Sequence, residues 1–368
     1  MRKLFTVFFM VALVLGAGAA GAFEREIPVR SGGLLEFDLK TGGDITVVGW
    51  GGESVQVSAD LSGRSSENVD LAVEERDGGV LIRSRYIEER RSQNSSIKLE
   101  VRVPSIFDVK INSMGGGVSI DGVEGNFSGK TMGGKLNLTN LKGELQLTTM
   151  GGSITLTDSD VDGRVKTMGG KALVEDVFGD VKVTSMGGEV THRRVTRTDG
   201  DSIGDQVKVD TMGGDIDVSE APSGADVHTM GGDITIDSAR DFVKAKTMGG
   251  DIRIQEVDGW VKATTMAGDV QVTVLGGHDV ELTSMHGNIT LVMPDGADLD
   301  IDIELDYTKN SSRSYKIVSD FQIDQQESAD WDYQHGSPRK TIRGTAAGGG
   351  NRVVIRTING NVYLKRTR

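Results

Sequence analysis

Four aspartates recur at a fixed interval in this sequence. Asp215, Asp233, Asp251 and Asp269 stand 18 residues apart, each directly after a Gly-Gly pair or its Ala-Gly equivalent. An earlier copy, Asp44, follows Gly42 and Gly43. Evenly spaced carboxylates could collect Ca²⁺, which takes hard oxygen ligands, or could accept the free backbone N–H groups of a glycine turn. If the four are stacked at the ~4.8 Å spacing of paired strands, each neighbouring pair repels by roughly 1 kcal/mol in water. Backbone N–H groups, a cation, or the lysines available at Lys182, Lys208, Lys244 and Lys262 must offset that repulsion. The Ca²⁺-binding β-roll is built on a different glycine-rich nonapeptide, whereas this chain reads Gly-Gly-Asp-hydrophobic. Turn capping is therefore the expectation, with a Ca²⁺-stabilised roll as the alternative.

A second candidate is basic. Arg193, Arg194 and Arg197 lie with His192, Asp199, Asp201 and Asp205 in a stretch that adds eight residues to the otherwise regular spacing. Guanidinium groups on an acidic protein could grip a carboxylated or sulfated polymer. The competing reading is a solvated insertion. Farther on, Asp298, Asp300, Asp302, Glu304 and Asp306 alternate with Leu299, Ile301, Ile303 and Leu305, the pattern of a strand with one acidic face. The expectation there is an exposed edge strand protected by charge rather than a Ca²⁺ site. Trp331 and Tyr333, with Tyr307, Tyr315 and Phe321, gather aromatics near the C-terminus. Packing of a terminal cap is favoured over a sugar-stacking platform.

Catalytic chemistry finds no foothold. There is no cysteine, no Gly-x-Ser-x-Gly, no phosphate-binding loop and no zinc spacing among the five histidines. The acids recur with a repeat, whereas an active site is one irregular constellation. No catalytic, cofactor or metal residue is expected.

The elements that position these residues follow from a tetrapeptide, Thr-Met-Gly-Gly. Its methionines are Met114, Met132, Met150, Met168, Met186, Met212, Met230, Met248, Met266 and Met285, spaced by 18 residues except for one gap of 26 and one of 19. Four and six residues after each methionine the chain is almost always aliphatic (Ile234 and Ile236, Ile252 and Ile254), and a second pair often precedes it (Val243 and Ala245). Apolar residues two apart are strand periodicity with one face buried. Units this short cannot bury their own apolar face, so they must stack. The fold class is all-β: a β-solenoid (a single-stranded β-helix or roll) of about 18 residues per coil. The second glycine of each pair is expected to need a positive φ or a close backbone approach. The methionines are expected to fill the inside of a corner, where a flexible thioether suits irregular space, rather than to form an exposed stripe used for binding or metal.

The organisation reads as four segments. Residues 1–22 have Arg2 and Lys3, an apolar run and Ala20-Gly21-Ala22, the features of a cleavable signal peptide. Residues 23–107 form a β-rich N-terminal cap, with the polar run Glu88–Ser96 as a loop. Residues 108–293 form the solenoid, and 294–368 a C-terminal cap. In the last of these Ala346–Gly350 is a flexible connection, and Val353 to Leu364 form a final repeat-like coil, with the intervening segment looped out or folded over the end. The net charge of −13, made more acidic still by loss of Arg2 and Lys3, argues against nucleic acid and anionic lipid as partners.

One set of features resembles a known family. It comprises the leader, Gly43-Asp44-Ile45-Thr46-Val47, the Val103-Pro104 step, the Thr-Met-Gly-Gly-Asp-Ile units and the closing Thr357 to Leu364. The chain resembles the bacterial domain-of-unknown-function family of β-strand-repeat proteins labelled putative adhesins. It is similar, more distantly, to auto-transporter-adhesin head domains. The resemblance covers nearly all of residues 30–366 and implies a repeat β fold with no catalytic residues to carry over. The expected function is an exported, non-enzymatic binding or scaffold module of the cell envelope, periplasmic, surface-attached or extracellular. An envelope polysaccharide or a surface protein is the expected partner, with no stable membrane insertion after signal cleavage. The rival from another class is a polysaccharide-acting enzyme on a β-helix scaffold.

Overall fold

The computed structural model describes residues 23–88, 95–193, 206–296, 298–309, 314–333 and 338–367. The signal segment, most of the expected Glu88–Ser96 loop, and Arg194 and Arg197 lie outside them. Among the described residues the protein is all-β, with a single 3-10 turn at Ser66–Asn68. It divides into two compact units, Met1–Gly170 and Lys171–Arg368.

In the first unit, residues one repeat apart face each other in parallel ladders. Phe127 pairs with Val109 and with Leu145, and Leu136 pairs with Val118 and with Ile154. Strands Leu34–Leu39 and Asp44–Trp50 continue both ladders without a methionine, Leu35 pairing with Val109 and Ile45 with Val118. Beyond them the pattern changes. Ser96–Pro104 runs parallel to Asp44–Trp50 but antiparallel to Ser54–Ser62, and Val69–Arg76 forms an antiparallel hairpin with Gly79–Tyr86.

The second unit repeats the scheme. Ile216, Ile234, Ile252, Val270 and Ile289 form one ladder of parallel partners, and Ala225, Val243, Val261 and Val280 another. At the insertion the pairing steps over the additional residues, Lys182 facing Lys208. The strand there runs through His192 to Arg193, with His192 opposite both Val174 and Val218. The final repeat stacks directly on the Met285 repeat: Val280 faces Val353, and Ile289 faces Val362. Beyond that repeat the ladders are continued by an earlier part of the chain, Leu299–Thr308 pairing parallel with Asn351–Ile358 and Ile317–Ser319 with Val362–Arg366.

Two expectations fail here. Leu299–Thr308 is not an edge strand, because Arg339–Ala347 pairs with it antiparallel while Asn351–Ile358 pairs parallel. Its acidic face is answered by a flanking strand, Arg356 reaching Asp302 at 3.3 Å and Glu304 at 2.9 Å. Ala346 and Ala347 belong to that antiparallel strand and not to a flexible connection.

The ladders of Val, Ile and Leu are buried throughout both units. Each such side chain removed from water contributes about 1.5–3 kcal/mol, which the isolated repeat could not collect. The residue directly before each corner methionine is a threonine or serine, also buried. Thr149 Oγ1 donates to Gly134 O at 2.9 Å, and Thr265 Oγ1 to Gly250 O at 2.9 Å, in each case crossing to the preceding repeat.

That column decides where the methionines go. Strict alternation carries Val243, Ala245 and Thr247 inward, so the next residue, Met248, turns out with the corner. The methionines are on the surface, contrary to the expected corner filling. Exposure runs from 36 % to 57 % over Met114, Met132, Met150 and Met168 in the first unit. In the second unit it runs from 39 % to 48 % over Met212, Met230, Met248, Met266 and Met285. Met186 is half-buried. The thioether loses the inside place because a buried glycine carbonyl needs a donor, and threonine supplies one.

The second glycine of each pair is required by proximity. A Cβ on Gly232 would stand 2.1 Å from the carbonyl oxygen of Gly214. The first glycine is looser: a Cβ on Gly231 would find nothing nearer than Met212 O at 3.7 Å. This is why Ala267 and His286 are accepted in that column.

Candidate functional site

Six residues before each methionine the chain points outward, and that column holds polar residues or glycine, as in Glu144, Asp180, Gly224 and Asp279. Phe242 and Trp260 are the exceptions. With Val243 and Val261 committed to the core, alternation puts both rings on the surface. Parallel register sets them opposite each other, and they stack at 5.1 Å between centroids with 15° between planes. Gly224 lies under Phe242, where a Cβ would come within 2.4 Å of the ring. Phe242 is thus covered on both faces, while Trp260 remains 43 % exposed.

From Trp260 a cleft of about 780 Å³ opens toward the next repeat, lined by Asp241, Asp258, Lys262, His278, Asp279, Glu281, Asn351 and Arg352 among others. It forms where the repeat is irregular. The Met266-to-Met285 interval carries one extra residue, and the strand register slips between Ile254 and Val257. The turn Leu275-Gly276-Gly277-His278 takes up the difference, with His278 Nε2 at 2.9 Å from Asp258 Oδ1. Lys262 is held by Glu281, both oxygens at 2.9 Å, and Asp279 accepts the Arg352 backbone N–H at 2.8 Å. Four carboxylates face two permanent cations across this lining, so the cleft is acidic and repels anions. A half-exposed indole beside fixed polar groups can offer apolar contact and hydrogen bonds together to an amphipathic group.

The aspartate ladder has another role. Asp215 Oδ1 accepts the N–H of Asp233 at 2.9 Å, Asp233 that of Asp251 at 2.8 Å, Asp251 that of Asp269 at 2.7 Å, and Asp269 that of Asn288 at 2.7 Å. Each carboxylate caps the backbone of the following repeat, which offsets the repulsion within the column. The lysines serve other acids: Lys208 pairs with Asp180, Lys244 with Asp226 and Lys182 with Asp210. Among the described residues no group of three or more His, Asp or Glu is placed to hold a metal ion.

Arg193 is exposed, and its charge reaches the protein's own acids, as the smallest of the influences on Glu189 and on Asp217. Glu189 is held below the usual carboxylate range chiefly by Lys171, whose ammonium donates to it at 2.6 Å. Asp217 moves the other way, pushed up first by burial and then by Glu189, Asp215 and Asp237. The structure does not bring Arg193 to the Trp260 cleft. The C-terminal aromatics form a half-buried cluster, with Tyr307 edge-on to Trp331 at 5.7 Å and tilted against Tyr315 at 6.4 Å. The Tyr307 hydroxyl donates to Glu327, which pushes its pKa up to about 12. Tyr333 is exposed.

Sequence reasoning passed over the cleft. The signal was the one-residue irregularity together with two aromatics in an otherwise polar column.

Residues 204–365 match the Toastrack DUF4097 family. The Toastrack match takes in the aspartate ladder, the Trp260 cleft and the final repeat, and the resemblance to a β-repeat family of unknown function holds over that stretch. No curated protein matches the chain. Among solved structures, a putative cell adhesion protein from Clostridium sporogenes is 8 % identical, with 94 % of this chain and 100 % of that chain covered and a TM-score of 0.19. A putative lipid binding protein from Parabacteroides distasonis is 11 % identical, with 95 % and 98 % covered and a TM-score of 0.20. Neither score bears on the function of the Toastrack region.

Proposed function

We propose that this protein is an exported, non-enzymatic β-solenoid, one coil per 18 residues with β-rich caps at both ends, that serves as a binding and scaffold module of the cell envelope or surface. Its ligand is an envelope polysaccharide, taken up at the Trp260 cleft. The observation that carries this reading is the stacked Phe242–Trp260 pair, with Trp260 left 43 % exposed beside a polar rim. The acidic lining favours neutral or amine-bearing sugars over carboxylated and sulfated ones, and the protein's net charge of −13 disfavours nucleic acid. Export is supported by the leader-like residues 1–22, and the non-enzymatic reading by the use of the recurrent acids as backbone caps.

A glycan array carrying neutral, amino and carboxylated oligosaccharides tests the binding half. The intact protein binds neutral or amino members, and Trp260→Ala lowers that binding by at least about tenfold, the equivalent of ~1.4 kcal/mol. Binding only to carboxylated members, or binding unaffected by the substitution, contradicts the assignment. Fractionation of the native cell tests export: recovery of the full-length chain, leader intact, in the cytosol overturns it.

A further inference from the structure

Both units carry a column of half-exposed thioethers at their glycine corners, although neither the core ladder nor the corner hydrogen bonds use them. The corner is held by the threonine hydroxyl inside it and by the close glycine approach behind it, while the methionine that stands between them faces water. Met293 supplies the contrast within the same chain: it closes a strand on the inward face and is 2 % exposed. The protein contains no cysteine, so these methionines are its readily oxidised sulfurs.

We propose that the methionine stripe is a reversible oxidation site that consumes hydrogen peroxide at the protein surface while leaving the fold intact. A thioether sulfur attacks one peroxide oxygen. An S–O bond forms as the O–O bond breaks, the sulfur loses two electrons, and the departing oxygen leaves as water after taking up the proton carried by its partner. The product is methionine sulfoxide, which the two stereospecific sulfoxide reductases return to the thioether, a dithiol supplying the two electrons and two protons and the oxygen leaving as water. Sulfoxide formation makes an apolar side chain polar. That change is disruptive inside a core, but on the stripe it places a polar group where an apolar one met solvent. Each repeat carries its own corner methionine, so the capacity grows by one sulfur with each repeat.

The test uses the full chain and hydrogen peroxide, with oxidation at each methionine followed by peptide mass spectrometry. Under native conditions the stripe methionines oxidise roughly tenfold or more faster than Met293. After complete oxidation of the stripe, the melting temperature lies within about 4 °C of its starting value. Reductases of both stereospecificities with dithiothreitol restore the original mass. Replacing Met212, Met230, Met248 and Met266 with leucine keeps volume and apolarity, and lowers peroxide consumption by one equivalent per residue replaced. Oxidation of Met293 in step with the stripe, unfolding on stripe oxidation, or sulfoxides that resist both reductases would overturn the proposal. The wild-type measurements decide the matter even if the leucine variant fails to fold.

Discussion

Thr247 donates its hydroxyl to the carbonyl oxygen of Gly232 at 2.9 Å and accepts the N–H of Gly250 at 3.2 Å. One buried side chain thereby joins two successive repeats and satisfies a donor and an acceptor that the glycine corner would otherwise bury unpaired. The same bonds recur at Thr229, with Gly214 as acceptor and Gly232 as donor.

Replacing Thr247 with valine keeps the shape and deletes both bonds. Leaving the two backbone groups unpaired costs about 1–3 kcal/mol. Urea unfolding is expected to show that loss for Thr247→Val, with Thr247→Ser near wild type. Met248→Leu, one residue away, is expected within about 0.5 kcal/mol of wild type because its side chain lies outside. Equal effects at 247 and 248 would mean that the corner is held in some other way.

The glycine pair offers a second contrast. Gly232→Ala drives a methyl group against the Gly214 carbonyl, so the stack must open, at a cost of about 1–3 kcal/mol or more. Gly231→Ala meets no atom closer than 3.7 Å and is expected to be tolerated. Thermal melts of the two variants read the difference directly.

Acid and base act on the Lys171–Glu189 pair in opposite windows. The Glu189 pKa is lowered from 4.5 in the folded protein, so its contribution is present above 4.5 and is lost as pH falls through the folded value. The Lys171 pKa is raised from 10.5, so its contribution is present below 10.5 and is lost as pH rises through the folded value. Asp217 is the reverse of Glu189. Its pKa is raised from 3.8 by burial, so the folded state favours the protonated form and stability falls as pH climbs through that region. Asp217→Asn is therefore expected to unfold at a higher temperature than wild type at pH 7, and to lose that advantage in acid. Glu189→Gln is expected to flatten both ends of the pair's pH dependence.

Much of this architecture could be read from the sequence because identical spacing forces identical positions to meet. Val243 above Ala225 and Val353 on Val280 follow from counting alone, as does the return of the chain to a final repeat. The failures came where two residues competed for one place or where a partner lacked a pattern. Thr247 and Met248 are adjacent, and hydropathy assigned the inside to the thioether although the carbonyl of Gly232 favoured the hydroxyl. Leu299–Thr308 read as an edge because its partner Arg339–Ala347 has no apolar alternation to announce a strand. The cleft depends on a single additional residue before Met285, too small a departure to stand out beside the larger insertion after Met186.

The saccharide assignment is tested most directly at the indole itself. The protein has three tryptophans, Trp50, Trp260 and Trp331, so incorporation of 5-fluorotryptophan gives three ¹⁹F resonances, with the Trp260 signal identified by its loss in Trp260→Phe. Trp50 donates its ring N–H to Ser54 O at 3.0 Å and Trp331 packs edge-on against Tyr307, and neither lines the cleft, so both serve as internal references. Titration with neutral and amino oligosaccharides is expected to shift the Trp260 resonance saturably and leave the other two in place. A spectrum unchanged by every sugar, or one in which only Trp331 responds, would contradict the account.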